Sequence, residues 1–130
     1  MLTPLTLKSR REALGLSRRE MAFHLEVRPS TYIGWETGTP IPSTIEDHIQ
    51  ELTEAAASLT RTRRQMIQHK RAATGSSHVT IEVPTTDADA AIMVMPDRWP
   101  AALIRAATAR AANEEWEENG TTATLIPFRL

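Results

Sequence analysis

Residues 14–38 read LGLSRREMAFHLEVRPSTYIGWETG, and this stretch decides the fold of the N-terminal part of the chain. Ser17 and Glu20 have the spacing of a capping box, which predicts the start of a short helix at Ser17. Residues 29–37 read as a second short helix, because they begin with a proline and precede a glycine. Gly34 lies inside that helix, where glycine costs about 1 kcal/mol relative to alanine. Something other than helix propensity therefore selects the residue at this position.

One further short helix is predicted before the quoted stretch, and a long helix after it. The long helix runs from Ser43 to about Arg71, because its apolar positions alternate in steps of four and three. Arg63 and Lys70 interrupt this apolar stripe, whereas Met66 continues it. The apolar positions are Ile45, Ile49, Leu52, Ala56 and Leu59. A core formed by Trp35 and this stripe is therefore expected.

The C-terminal part changes from helical to mixed patterns. Val79, Ile81 and Val83 alternate with polar residues, which predicts a half-buried strand. The apolar run AAIMVM is consistent with a second strand, although periodicity alone does not separate such a run from buried helix. An alanine-rich segment predicts a helix that ends near Gly120, and TATLIPFRL predicts an edge strand because it contains Pro127.

The predicted fold class is therefore α+β. An all-α domain with its connecting helix occupies residues 1–72, a polar linker residues 73–78, and a small strand-strand-helix-strand domain residues 79–130.

Composition narrows the classes of function. The chain has 130 residues, of which 41% are hydrophobic and 24% charged, as in globular proteins. It has no cysteine, which excludes disulfides, cysteine-ligated zinc and thiol catalysis. Its four histidines are scattered, and it has no HExxH, GxSxG or glycine-rich phosphate loop, so we expect no enzyme, metal or cofactor. It also has no signal-like or membrane-spanning apolar run, which favours a cytoplasmic protein without membrane contact.

Charge divides the chain into two halves. Residues 1–73 carry eleven Lys and Arg against eight Asp and Glu, a net of +3. The remainder carries four against eight, a net of −4. A basic first half and an acidic second half predict two modules with different partners.

Two short helices joined by a tight turn are what a protein needs to place one helix in the DNA major groove. Residues 14–38 resemble the Cro and repressor-type helix-turn-helix proteins, the XRE family, in four features. These are the Leu-Gly-Leu turn, Ala22, the turn residues Leu25 and Val27, and the Trp-Glu-x-Gly ending. The resemblance implies a sequence-specific transcriptional regulator that binds double-stranded DNA and reads it with residues 29–37.

The resemblance also implies roles for individual residues. The residues that match positions facing base edges are Arg28, Pro29, Ser30, Ile33 and Gly34. Those contacting DNA phosphates are Ser17, Arg18, Arg19, Thr37 and Thr39. Arg11 and Glu36 match a largely buried ion pair. Since Pro29 and Gly34 offer no side-chain hydrogen bond, specificity is expected to depend on few base contacts and on DNA shape, with Gly34 permitting close approach to the duplex.

The C-terminal domain is predicted to form a homodimer, because one helix-turn-helix unit reads about half an operator. Its strands bury little apolar surface alone, and an edge strand invites pairing with a second copy. The predicted interface residues are Trp99, Trp116, Leu125, Ile126 and Phe128. The order of elements also resembles anti-CRISPR-associated autorepressors, which would imply a dimer that represses its own operon.

Three questions stay open at the level of sequence. The tail of an antitoxin would bind a toxin instead of a second copy, and the helix-turn-helix segment looks the same in both cases. The basic run at residues 61–71 is either a solvated helix face or an extra grip on DNA phosphates. The acidic residues 114–118 are either a solvated helix end or a contact with a basic partner.

Overall fold

The computed structural model describes residues 2–93 and 99–128. The elements in chain order are α1 (Pro4–Leu14), α2 (Arg18–His24), α3 (Pro29–Thr37), α4 (Ser43–Thr74), β1 (His78–Val83), α5 (Asp87–Ile92), α6 (Ala101–Asn119) and β2 (Thr122–Pro127). They form two compact units, Met1–Ala55 and Ala56–Leu130, and the boundary between the units falls inside α4. The predicted α+β class is confirmed. Within the described residues, no helix is both long and apolar enough for a bilayer crossing.

Local signals set the ends of the first helices. α1 follows Thr3, whose hydroxyl accepts a hydrogen bond from the Thr6 N–H at 3.1 Å, and it ends at Gly15 with φ 77°. The predicted capping box is confirmed at α2. The Ser17 hydroxyl accepts from the Glu20 N–H at 3.1 Å, and the Glu20 carboxylate accepts from the Ser17 N–H at 2.9 Å. These bonds satisfy backbone groups that a helix start leaves without partners.

The N-terminal unit is held by an apolar core that α1 to α4 share. The predicted core residues are confirmed, since Trp35, Ile45, Ile49 and Leu52 are all buried. Tyr32 joins them, and its ring meets the Trp35 ring edge to face with the centroids 6.0 Å apart. Such pairs stabilise beyond the burial of their area. The remaining buried apolar residues of this unit are Leu2, Leu7, Leu14, Leu16, Met21 and Ala22.

The buried stripe of α4 differs from its prediction. It continues through Arg63, which is 1% exposed, and Ile67, which is fully buried, whereas Met66 is 38% exposed. An arginine enters the stripe because one end of its guanidinium reaches the backbone, with Nη1 donating to the Glu82 carbonyl at 2.8 Å. Burial lowers the pKa of Arg63. From the sequence, Arg63 was predicted to interrupt the buried stripe, and the tertiary contact overrides that prediction.

The C-terminal unit is built on a two-stranded parallel sheet. β1 and β2 pair in the register Val79 to Ala123 and Ile81 to Leu125, and α5 and α6 make the connection between them. The third predicted strand is therefore confirmed as β2. The core of this unit contains Ile67, Val79, Ile81 and Ala111, with Ala112, Ala123 and Leu125 packed against it.

The second predicted strand, AAIMVM at residues 90–95, is wrong in its described part. Ala90 to Ile92 belong to the helix α5, while Val94 and Met95 lie outside the described residues. The cause is the polar segment before the run. The Thr86 hydroxyl caps the helix by accepting from the Asp89 N–H at 3.1 Å, and acidic residues occupy the first turn. A short apolar run does not by itself distinguish strand from helix.

The basic run of α4 binds other parts of its own unit. Arg64 pairs with Glu118 at 2.6 Å, Glu115 at 2.9 Å and Glu114 at 3.3 Å. Glu115 is nearly inaccessible, and its carboxylate also accepts from the amides of Gln68 and Asn119. Burial alone would raise the pKa of Glu115, but these hydrogen bonds and the Arg64 charge lower it. The acidic helix end therefore contacts Arg64 of its own unit, while Glu114 and Glu118 remain 44% and 61% exposed.

Candidate nucleic-acid interface

α3 has one buried side and one exposed side. Tyr32 and Trp35 lie in the core, while the residues predicted to face bases are exposed or half-buried. The exposed residues are Arg28, Pro29, Ser30 and Ile33, and Gly34 is half-buried. Arg28 precedes the first turn, and its guanidinium, which has donors only, takes no part in capping the helix start. Hydrogen-bonding and apolar groups suited to base edges therefore lie on the exposed side of α3.

An ion pair ties α1 to the end of α3. Arg11 Nε donates to Glu36 Oε2 at 2.7 Å, and Arg11 Nη2 donates to Glu36 Oε1 at 3.2 Å. The Glu36 side chain is 1% exposed and that of Arg11 is 11% exposed. The remaining nitrogen, Arg11 Nη1, donates to the Leu16 carbonyl at 3.0 Å. This bidentate arrangement fixes α3 relative to α1 within the N-terminal unit.

Arg18 adds a second cation to the same carboxylate. Its Nε donates to Glu36 Oε1 at 3.3 Å, while 47% of its side chain remains exposed. Burial acts to raise the pKa of Glu36, but the hydrogen bonds from Arg11 and Arg18 and the positive charge of Arg11 outweigh it and lower that pKa. Burial and the Glu36 carboxylate raise the pKa of Tyr32. The sequence reading assigned Arg18 to phosphate only, and no local signal links residues 18 positions apart.

The start of α2 offers backbone donors beside two cations. Ser17 uses both its N–H and its hydroxyl oxygen in the capping box with Glu20. Within the described residues, no hydrogen bond occupies the N–H groups of Arg18 and Arg19, which form the first turn of the helix. Free N–H groups at a helix start favour an anion. The N–H groups of these two residues are therefore available as donors.

The end of α3 is closed by its own threonines. The Thr37 hydroxyl donates to the Ile33 and Gly34 carbonyls at 3.0 and 3.2 Å, and the Thr39 N–H donates to the Gly34 carbonyl at 2.8 Å. A β-carbon at Gly34 would lie 3.0 Å from Thr39 Oγ1. The structure therefore gives this glycine a packing role in addition to the predicted approach to DNA. It makes room for the Thr39 side chain where the chain leaves α3.

This packing predicts coupling between positions 34 and 39. Gly34→Ala gains helix propensity of about 1 kcal/mol but crowds Thr39, so its net effect on the free energy of unfolding should be small or negative. With Thr39→Ala present the nearest atom is gone, and the same change should stabilise by about 1 kcal/mol. Urea unfolding of the four chains in this double-mutant cycle measures the difference. Equal effects in both backgrounds would contradict it.

Residues 7–46 match the family model described as helix-turn-helix. The matched segment includes α2, α3 and the Arg11–Glu36 pair, so the class of protein is one with a helix-turn-helix DNA-binding domain. This segment is similar to the Cro and repressor type, the XRE family, and the match supports a DNA-binding transcription regulator. The resemblance read from residues 14–38 is thereby confirmed. A search of the curated proteins found no match to the chain.

Proposed function

We propose that the protein is a homodimeric repressor of its own gene that reads the major groove with α3. The observation that carries this proposal is the exposed end of α3, which the core and the Arg11–Glu36 pair hold in place. Arg28 suits guanine O6 and N7, Ser30 a donor or acceptor, and Ile33 a thymine methyl group. With so few side chains, sequence-dependent DNA shape supplies part of the specificity.

Phosphate contacts set the position of α3 on the duplex. The proposed residues are Ser17, Arg18, Arg19, Thr37 and Thr39. The backbone donors at the start of α2 support this role for Arg18 and Arg19, because such contacts position a protein without reading sequence. A regulator of this kind acts in the cytoplasm, without catalysis and without membrane contact.

The dimer forms through the C-terminal unit. Two helix-turn-helix units then address half-sites about 34 Å apart on the duplex. Supporting this, Trp116 is 61% exposed, although it is a large aromatic residue. The other proposed interface residues, Trp99, Leu125, Ile126 and Phe128, are half-buried in the single chain. Analytical ultracentrifugation of the full chain at tens of micromolar tests the dimer, and a monomer at that concentration would overturn it.

Fluorescence anisotropy tests DNA reading, with tiled duplexes from upstream of the gene at two salt concentrations. One tile should bind far more tightly than the others. Arg28→Ala should weaken binding to that tile by about 1–3 kcal/mol and relax its sequence preference. The matched control is Arg19→Ala, which should weaken all tiles alike and lower the salt slope by about 1.

Other outcomes would contradict parts of this proposal. If the two variants behaved alike, the division between base-reading and phosphate-binding residues would be wrong. Uniform binding of all tiles would exclude an autorepressor that acts alone. Restoration of specific binding by a small protein that co-purifies with the chain would favour the antitoxin function instead.

A further inference from the structure

The two strands of the sheet differ in what their outer edges offer. The Thr122 N–H donates to the Ser77 carbonyl at 2.7 Å, and the Phe128 N–H donates to the Val83 carbonyl at 2.8 Å. Backbone groups alternate along a strand, so the even-numbered residues of β2 face β1. The backbone groups of Ala123, Leu125 and Pro127 face away from β1. On β1, in the same way, the groups of Thr80 and Glu82 face away from β2.

The outer edge of β1 is closed by side chains from α4. Lys70 Nζ donates to the Thr80 carbonyl at 2.7 Å, and Arg63 Nη1 donates to the Glu82 carbonyl at 2.8 Å. Both outward carbonyls in the middle of this strand are therefore already bonded. Charged side chains at an edge are a common protection against strand addition. A new strand cannot join β1 without displacing two cations.

The outer edge of β2 has no such protection. Within residues 2–93 and 99–128, no hydrogen bond is made by the N–H and C=O groups of Ala123 and Leu125 that point outward. No residue of Thr122–Pro127 is charged, so two copies of this strand would not repel each other. Pro127 lacks an N–H and limits the free edge to a short segment. This edge is therefore open to an added strand, and a second copy of β2 would bring no like charge to it.

We propose that β2 of a second copy pairs antiparallel with this edge, which rests on the homodimer proposed above and names its seam. The two-fold axis passes through Thr124, with Ala123 opposite Leu125 of the second copy. Each such pair exchanges two N–H···O bonds, so the seam has four main-chain bonds and leaves no outward group of Ala123 or Leu125 unpaired. A seam centred on Leu125 would instead place the Pro127 ring, which has no donor, against the Ala123 carbonyl.

The proposed seam also limits association to two copies. The combined sheet has four strands in the order β1, β2, β2, β1. Both of its outer edges are β1 edges, closed by Arg63 and Lys70. A third copy finds no open edge, so the assembly is closed rather than fibrous.

Single cysteines test the seam cleanly because the natural chain has no cysteine. Thr124 is exposed and lies on the axis as a pair without hydrogen bonds, where α-carbons are about 4.5 Å apart and a disulfide fits. The full-length Thr124→Cys variant, treated with diamide as the two-electron oxidant, should therefore run mainly as a covalent dimer on a non-reducing gel. The matched control is Thr80→Cys, the exposed neighbour of Thr124 on β1, which should stay a single chain on the gel.

The outcomes separate the seam from the dimer. If the unmodified chain sediments as a dimer but Thr124→Cys does not cross-link, the seam is wrong and the homodimer stands. Equal cross-linking of both variants would mean random collision and would also overturn the seam. A monomer in ultracentrifugation would overturn both. Binding of the operator duplex by each reduced variant, measured by anisotropy, checks that neither substitution unfolds the chain.

Discussion

Replacing Glu36 with alanine should lower the free energy of unfolding of the helix-turn-helix unit by about 3–5 kcal/mol. The carboxylate accepts two hydrogen bonds from Arg11, whose side chain is only 11% exposed. Without Glu36 this guanidinium keeps its bond to the Leu16 carbonyl but has lost its counter-charge in a place that water barely reaches. The cost is therefore that of an uncompensated buried charge. It exceeds the contribution of the ion pair itself.

Arg18→Ala is the matched control at the same carboxylate. Because the Arg18 side chain is 47% exposed, its loss should cost no more than about 1 kcal/mol. Urea unfolding followed by circular dichroism gives both values. Hydrogen exchange of the α1 and α3 peptides then assigns the loss to this unit. Equal destabilisation by the two variants would show that burial does not set the strength of these pairs.

The same carboxylate gives a pH dependence of known sign. The folded-state pKa of Glu36 lies below the ordinary value of 4.5, so the folded state favours the ionised form. The resulting stability is present above about pH 4.5 and is lost as the pH falls through the lower, folded-state pKa. The advantage of the natural chain over Glu36→Gln should therefore be constant at neutral pH and shrink in acid. A difference that does not change down to acidic unfolding would contradict this.

Ile67→Ala should lower the free energy of unfolding of the C-terminal unit by about 2–5 kcal/mol. Ile67 is fully buried and packs with Val79, Ile81 and Ala111 under the sheet, so truncation leaves a cavity. Since the proposed dimer forms through this unit, operator binding should weaken as well, although no residue of α3 changes. Phosphate and base contacts would then remain intact on a chain that no longer pairs.

Met66→Ala is the neighbouring control. Met66 is 38% exposed, so its truncation should lower the free energy of unfolding by much less than truncation of Ile67 does. Thermal unfolding of the two variants and the natural chain, with sedimentation and anisotropy on each, measures stability, pairing and DNA binding together. A larger loss of stability in Met66→Ala than in Ile67→Ala would support the stripe predicted from the sequence, in which Met66 is the buried residue. It would also contradict the packing of α4 in the structure.

Much of the helix-turn-helix unit was predictable because its signals are local. The capping box at Ser17 and Glu20 fixes the start of α2 through bonds that span three residues. The spacing of Trp35, Ile45, Ile49 and Leu52 reports the side of each helix that meets the core. Gly34 was visible as an anomaly of the sequence. Its reason, the approach of Thr39, depends on the path of the chain after α3.

The C-terminal unit was less predictable because its determinants are distant in sequence. Arg63 was predicted to interrupt the buried stripe, whereas a carbonyl 19 residues away makes its burial possible. The basic run of α4 was predicted to lie on the surface. Its residue Arg64 instead bonds to glutamates that lie about 50 residues further along the chain. The run AAIMVM was assigned to a strand on apolar character alone, while the Thr86 cap before it begins a helix.

The sequence by itself determined the class of this protein. The spacing of residues 14–38 specifies two short helices and a turn, because capping and amphipathic periodicity act within a few residues of each other. Only the tertiary structure decided which charges are buried and which strand edge is open. Those properties arise when α4 lies against the strands, and Arg63 and Lys70 then bond to one edge and leave the other free. Contacts between residues far apart in the chain leave no periodic trace in it.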